Sequence, residues 1–157
     1  MMTTAVEEQV ETLSIFKEVE IAAPIEIVFD AVLDDLGPGG QMPDGTPFPM
    51  KLEAWPGGRW YRDLGNKSGH FWGHVQVIKP PKLLELCGPM CMSYPAVNHI
   101  QYRLTEEGEG TRLTVAHRSL GLIQSEHREN MEGGWDYCLK RVREIAERLN
   151  NERKAGR

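Results

Sequence analysis

Residues 125–150, SEHRENMEGGWDYCLKRVREIAERLN, decide the fold. Met131, Trp135, Cys138, Val142, Ile145 and Leu149 recur at alternating steps of four and three, with Leu139 and Ala146 widening the stripe, so one face of a long helix is apolar. Ser125 is a good N-cap, and Glu126 and Glu129 suit the positive end of the helix dipole. The charges from Arg141 to Arg148 alternate on the opposite, solvated face. A continuous helix over 125–150 is about 39 Å long, enough to cross a whole sheet. One feature breaks the pattern: Gly133-Gly134, just before Trp135, lowers helix stability by roughly 2 kcal/mol relative to two alanines. Two readings follow. Either the helix kinks or starts at Gly134, or the missing side chains leave room for a bound molecule or for close backbone approach.

Upstream, residues 50–119 have no helical period and run as short alternating segments. Pro56-Gly57-Gly58, Gly65 to Gly69, Pro80-Pro81, Gly88 to Pro95 and Glu107 to Gly110 separate them. Six strands are predicted, at 50–55, 59–64, 70–79, 82–87, 97–105 and 111–119. Connections this short favour an antiparallel meander, because parallel pairing needs crossovers of about a dozen residues. Before the meander, Leu13, Ile15, Val19 and Ile21 alternate as a half-buried strand whose inner face Lys17 interrupts. Pro24 stands where a first helical residue would, and Ile25, Val28, Phe29 and Val32 follow at helical spacing. From Asp34 to Pro49, eight of sixteen residues are Gly or Pro, so a long loop is expected, in the role of a lid, binding loop or insertion. The fold class is therefore α+β: a curved antiparallel sheet of six or seven strands around a long C-terminal helix, with a short helix after the first strand. One domain over 13–150 is expected, flanked by flexible tails at 1–12 and 151–157.

Composition narrows the function. With 157 residues, 40% apolar and 26% charged, the chain is long enough for one buried core. A net charge of -5 argues against nucleic acid, whose binders cluster cations. No apolar run reaches membrane-spanning length and the start, with Glu7, Glu8 and Glu11, is acidic, so a cytoplasmic location is expected. Three cysteines, Cys87, Cys91 and Cys138, are then reduced thiols.

Several local motifs carry a family resemblance. Pro56-Gly57-Gly58-Arg59-Trp60, the strand and turn from Gly73-His74-Val75 to Pro80-Pro81, Gly110-Thr111-Arg112-Leu113-Thr114 to His117, and Gly134-Trp135 before Leu139 resemble the START-like (SRPBCC) superfamily. Within it they look most like bacterial homologues of the heat-shock-protein-90 ATPase activator C-terminal domain. The resemblance covers about residues 14 to 150 and implies the helix-grip fold, with binding of a lipid or other hydrophobic molecule, an enzyme of the cyclase or dehydratase kind, or a chaperone-binding role in the stress response. The Gly/Pro-rich 34–49 segment departs from the more helical lid usual there. These 157 residues are expected to leave too little protein for the extra N-terminal domain and two-site clamp of the eukaryotic activators.

Strand parity puts Phe71, Gly73, Val75, Val77, Leu84, Leu86, Ile100, Tyr102, Leu104, Leu113, Val115 and His117 on the concave face. Tyr102 and His117 are its polar members and face Trp135. They are candidates to orient a ligand or, in an enzyme, to act as base and acid; a histidine satisfied inside the core is the structural alternative. The expected ligand-binding set is Trp60, Phe71, Leu86, Met90, Met92, Tyr102, His117, Met131, Gly134, Trp135 and Cys138. Trp55, Tyr61, Trp72 and Tyr94 add to an aromatic and thioether population suited to an adaptable apolar pocket. A small hydrophobic molecule is the expected partner, with a chaperone as the alternative, acting on an outer face carrying His70, Trp72 and His74; the chain is a monomer or homodimer. No metal or cofactor is expected: on a strand, His70 and His74 lie about 13 Å apart, and Cys87 and Cys91 lack a CxxC spacing. No G-x-S-x-G elbow, P-loop, dinucleotide fingerprint or HExxH occurs.

Overall fold

The computed structural model describes residues 2–156. Its elements follow the chain as β1 (Glu11–Ile21), α1 (Ile25–Leu36), β2 (Lys51–Leu52), β3 (Arg59–Gly65), β4 (Ser68–Lys79), β5 (Leu83–Gly88), β6 (Ala96–Glu107), β7 (Gly110–Gly121) and α2 (Ser125–Ala155). The strands form one curved sheet in the order β1-β7-β6-β5-β4-β3-β2, antiparallel throughout. This is the expected helix-grip architecture with seven strands.

The α2 stripe builds the core because Trp135, Leu139, Val142, Ile145 and Ala146 meet Val28 and Val32 of α1 and the inner side chains of β5, β6 and β7. Each large apolar side chain so buried stabilises the fold by about 1.5–3 kcal/mol. Lys17, which interrupts the inner face of β1, reaches across to α2 instead, 2.9 Å from Glu132 and 3.1 Å from Asp136. At the far end of α2, Asn150 donates to the Ala22 carbonyl and Glu147 accepts from the Ala22 amide, fixing the helix to the turn after β1.

Several local expectations change. Helix α2 runs unbroken through Gly133-Gly134, so it does not start there. It begins at Ser125 with Gln124 in the cap position and no side-chain cap bond. Leu149 is exposed, and the inward place at that turn belongs to buried Asn150. The helix also runs on to Ala155, into the segment expected as a tail, while β1 takes in Glu11 and Thr12; residues 1 and 157 of the two expected tails lie outside the described residues. Pro24 occupies the cap of α1 rather than its first turn, and α1 continues to Leu36, so Asp34 and Asp35 are helical and not loop. Strand β2 has only two residues.

The largest correction is in β4. Trp60 pairs with Gly73, but Tyr61 pairs with Phe71, leaving Trp72 as an extra residue; a second bulge lies between Val75 and Val77. A bulge inverts the alternation of side chains. Phe71, expected inside, is therefore 42% exposed and meets the outward His74 edge to face, whereas Trp72, expected outside, packs on the core. Ile78 likewise replaces Val77 against the core. The tight approach at the first bulge requires glycine: a Cβ on Gly73 would lie 2.7 Å from the Cys87 carbonyl oxygen.

No helix among the described residues is long and apolar enough to cross a membrane.

Candidate functional site

A cavity of about 230 Å³ lies between α2 and the β3–β4 end of the sheet. Five sources build its wall. The last turn of α1 contributes Asp35 and Leu36; the 37–50 loop contributes Gly40, Gln41, Pro43, Phe48 and Met50; the sheet contributes Trp60, Trp72 and Tyr102. The β5–β6 connection adds Met90 and Cys91, and α2 adds Met131, Gly134, Trp135, Tyr137 and Cys138. The Gly/Pro-rich segment thus forms part of the wall, with exposed Gln41 and Pro43 at the rim.

Aromatic packing makes the wall firm. Trp60 and Trp72 meet edge to face with centroids 5.1 Å apart, and Phe48 lies 5.9 Å from Trp72. The Trp60 indole donates to the Leu36 carbonyl at 2.8 Å, which satisfies a terminal acceptor of α1 and fixes the helix end beside the cavity. Met90 adopts a left-handed conformation, φ 54°, and its amide donates to the Trp72 carbonyl at 2.9 Å. Such a backbone is unfavourable for a side chain of this size by about 1–2 kcal/mol, and here it places Met90 in the wall. Opposite, a Cβ on Gly134 would meet nothing within 4 Å. The absent side chain is part of the open volume.

Of the expected site residues, Trp60, Met90, Tyr102, Met131, Gly134, Trp135 and Cys138 come together in this wall. Leu86 and Met92 are buried away from it, and Phe71 is on the outer face. His117 is also outside the wall, which overturns its pairing with Tyr102 as acid and base. Parity placed it on the correct face, but the ring of Trp135 stands in front, with centroids 5.7 Å apart. Both imidazole nitrogens are engaged: Trp135 Nε1 donates to Nδ1 at 2.9 Å, so the proton is on Nε2 and is donated to Asn98 Oδ1 at 2.7 Å. Ser119 donates to the same Asn98 oxygen, and Asn98 Nδ2 donates to the Gly88 and Pro89 carbonyls. Burial pushes the His117 pKa down to about 4. This is a neutral histidine holding Trp135 in place.

The residue that sequence reasoning missed is Asp35. Its side chain is 10% exposed and is the one charged member of the wall among the described residues. Burial, opposed by Arg141 and reinforced by Asp34, pushes its pKa up to about 6. Arg141 Nε lies 3.5 Å from Asp35 Oδ1, an ion pair without a hydrogen bond, and the guanidinium also donates to the Gly39 carbonyl at 2.9 Å. The nearby Tyr102 hydroxyl and Cys138 thiol are both held protonated, chiefly by burial, the thiol pushed up to about 12. At the opposite rim Cys91 lies 3.7 Å from His127 Nε2, whose Nδ1 is 2.7 Å from the Tyr94 hydroxyl; burial raises the Cys91 pKa, so it too remains a thiol. A legible trace of Asp35 was the acidic pair Asp34-Asp35 in a last helical turn with no base, an unfavourable place for carboxylates at the negative end of the dipole.

Residues 22–147, which include every residue of the cavity wall, match the family described as Activator of Hsp90 ATPase homolog 1-like protein. The chain belongs to this family. Solved structures agree on the fold. A protein from Rhizobium leguminosarum is 18% identical with a TM-score of 0.69, covering 91% of this chain and 99% of its own. SA2116 from Staphylococcus aureus, a protein of unknown function, is 15% identical with a TM-score of 0.68 over 91% and 98%. CalU16 from Micromonospora echinospora is 21% identical with a TM-score of 0.60 over 98% and 96%. No curated protein matches the sequence. Membership of the Activator of Hsp90 ATPase homolog 1-like family thus accounts for the helix-grip frame and leaves the chemistry to the cavity.

Proposed function

We propose that the protein binds a small apolar or aromatic molecule in the cavity between α2 and the sheet, as a carrier, sensor or sequestering protein. The observation that carries this reading is Gly134: an unbroken helix retains a glycine with no steric need for it, facing a cavity lined by Phe48, Trp60, Trp72 and Trp135. A glycine inside a helix is less favourable than alanine by about 1 kcal/mol, and at 134 that cost leaves space in the wall. A cavity of a few hundred Å³ with mostly apolar walls and few polar groups is the usual form of a small-molecule site. The test is native mass spectrometry of the protein purified under mild conditions. A reproducible noncovalent adduct, lost in Gly134→Leu, is expected; the same adduct on both proteins would contradict the reading.

A protein-interaction role, suggested by the family's description, is the second reading. It would use the outer sheet face, where Phe71, Val97 and Leu120 are exposed. Trp72, on which that surface was expected to depend, faces the cavity instead.

A further inference from the structure

The cavity wall is mostly apolar and carries a single charged side chain, Asp35. The Asp35 side chain is 10% exposed, no hydrogen bond reaches its carboxylate from any described residue, and its one ion pair, with Arg141 at 3.5 Å, is loose because that guanidinium also donates to the Gly39 carbonyl. A largely buried carboxylate with a loose ion pair and no hydrogen-bond donor is unfavourable, and an apolar side chain would seal this wall better. The wall contains no lysine or arginine, so an anionic ligand would enter without a counter-charge and beside a carboxylate. A cation, by contrast, would meet both a carboxylate and a wall rich in aromatic rings, Phe48, Trp60, Trp72 and Trp135 among them, a combination that recognises organic ammonium groups.

We propose that Asp35 is the polar anchor of the site and that the ligand is an apolar aromatic amine, its nitrogen donating to the Asp35 carboxylate and its ring body lying among Phe48, Trp60, Trp72 and Trp135. The inference rests on the cavity-binding reading. It adds the charge and the donor character of the ligand. Tyr102, whose hydroxyl has no hydrogen-bond partner among the described residues, stands beside Asp35 as a second polar contact in the same wall.

Three probes with one ring body separate the possibilities: 1-naphthylmethylamine, 1-naphthalenemethanol and 1-naphthoic acid, each titrated calorimetrically at pH 7.5 into the protein and into Asp35→Asn. The amine is expected to bind tightest and the acid weakest. Asp35→Asn is expected to weaken the amine by roughly tenfold or more and to leave the alcohol nearly unchanged, which also reports that the variant's cavity is intact. If the acid binds as tightly as the amine, or if the amine is unaffected by Asp35→Asn, the cavity still binds but Asp35 does not select the ligand, and the inference is overturned. If no probe binds, the cavity-binding reading itself fails and takes this inference with it. Should Asp35→Asn not fold, the ranking of amine over acid on the unmodified protein decides.

Discussion

Trp135 donates its indole N–H to Nδ1 of His117 across 2.9 Å, so the helix residue that covers the cavity is held by a strand residue behind it. The bond fixes the imidazole as the neutral Nε2-protonated form and links α2 to the Asn98 and Ser119 network of β6 and β7. Because burial lowers the His117 pKa from 6.5 to about 4, protonation of this ring favours the unfolded chain.

The first prediction is a loss of stability in acid. The unfolded histidine takes up its proton near 6.5 and the folded one near 4, so the contribution is complete above pH 6.5 and is lost as pH falls towards 4. Its size is on the order of 3 kcal/mol. Urea denaturation at a series of pH values checks this: His117→Gln should be less stable at pH 8 yet show a flatter dependence between 6.5 and 4. Equal slopes in the two proteins would refute it.

Asp35 acts with the opposite sign. Its folded pKa, about 6, exceeds the ordinary 3.8, so the folded state holds the proton more tightly and the ionised carboxylate lowers stability above pH 6. Asp35→Asn should therefore stabilise the protein at pH 8 by roughly 1–3 kcal/mol. The gain should disappear as pH falls to about 4, where the wild-type group is itself neutral. A destabilised variant at pH 8 would mean that Asp35 is retained for its Arg141 pair and not for a ligand.

The bulges in β4 predict unequal effects for neighbours. Trp72→Ala should lower stability by about 2–3 kcal/mol, since it removes ring contacts to Trp60 and Phe48. Phe71→Ala, on the outer face, should change it by less than about 1 kcal/mol. Thermal or urea melts of both variants decide the register; the reverse ranking would restore unbroken alternation.

How far the sequence disclosed this site can be argued from these residues. The α2 stripe was legible because a 3.6-residue period survives over many turns, and β5, β6 and β7 kept strict alternation, so Leu84, Leu86, Ile100, Tyr102, Leu113 and Val115 face inward as their parity requires. Parity failed in β4 because it assumes an uninterrupted ladder, and nothing local to Phe71-Trp72 announces an extra residue. It also gives a face and not a depth, which is why His117 was expected at the cavity and lies behind Trp135. Asp35 was missed because the Gly/Pro-rich loop was taken to begin one turn too early, at a helix end whose dipole disfavours a carboxylate and whose cation, Arg141, lies far along the chain.

Gly133 and Gly134 separate helix propensity from cavity volume. Alanine at either should stabilise α2 by about 1 kcal/mol, because neither new Cβ meets another atom within 4 Å. Leucine at 134 should fill the cavity, while leucine at exposed 133 should leave binding intact; matched melts and titrations of the two leucine variants would show this.

The central claim is tested most directly by the four indole N–H signals in a ¹⁵N-correlated spectrum titrated with 1-naphthalenemethanol. Trp60, Trp72 and Trp135 line the cavity and should shift together and saturably, while exposed Trp55 outside it should not move, and Gly134→Leu should abolish all three shifts. If the three wall signals stay fixed, or if Trp55 moves as much as they do, the cavity is not a ligand site.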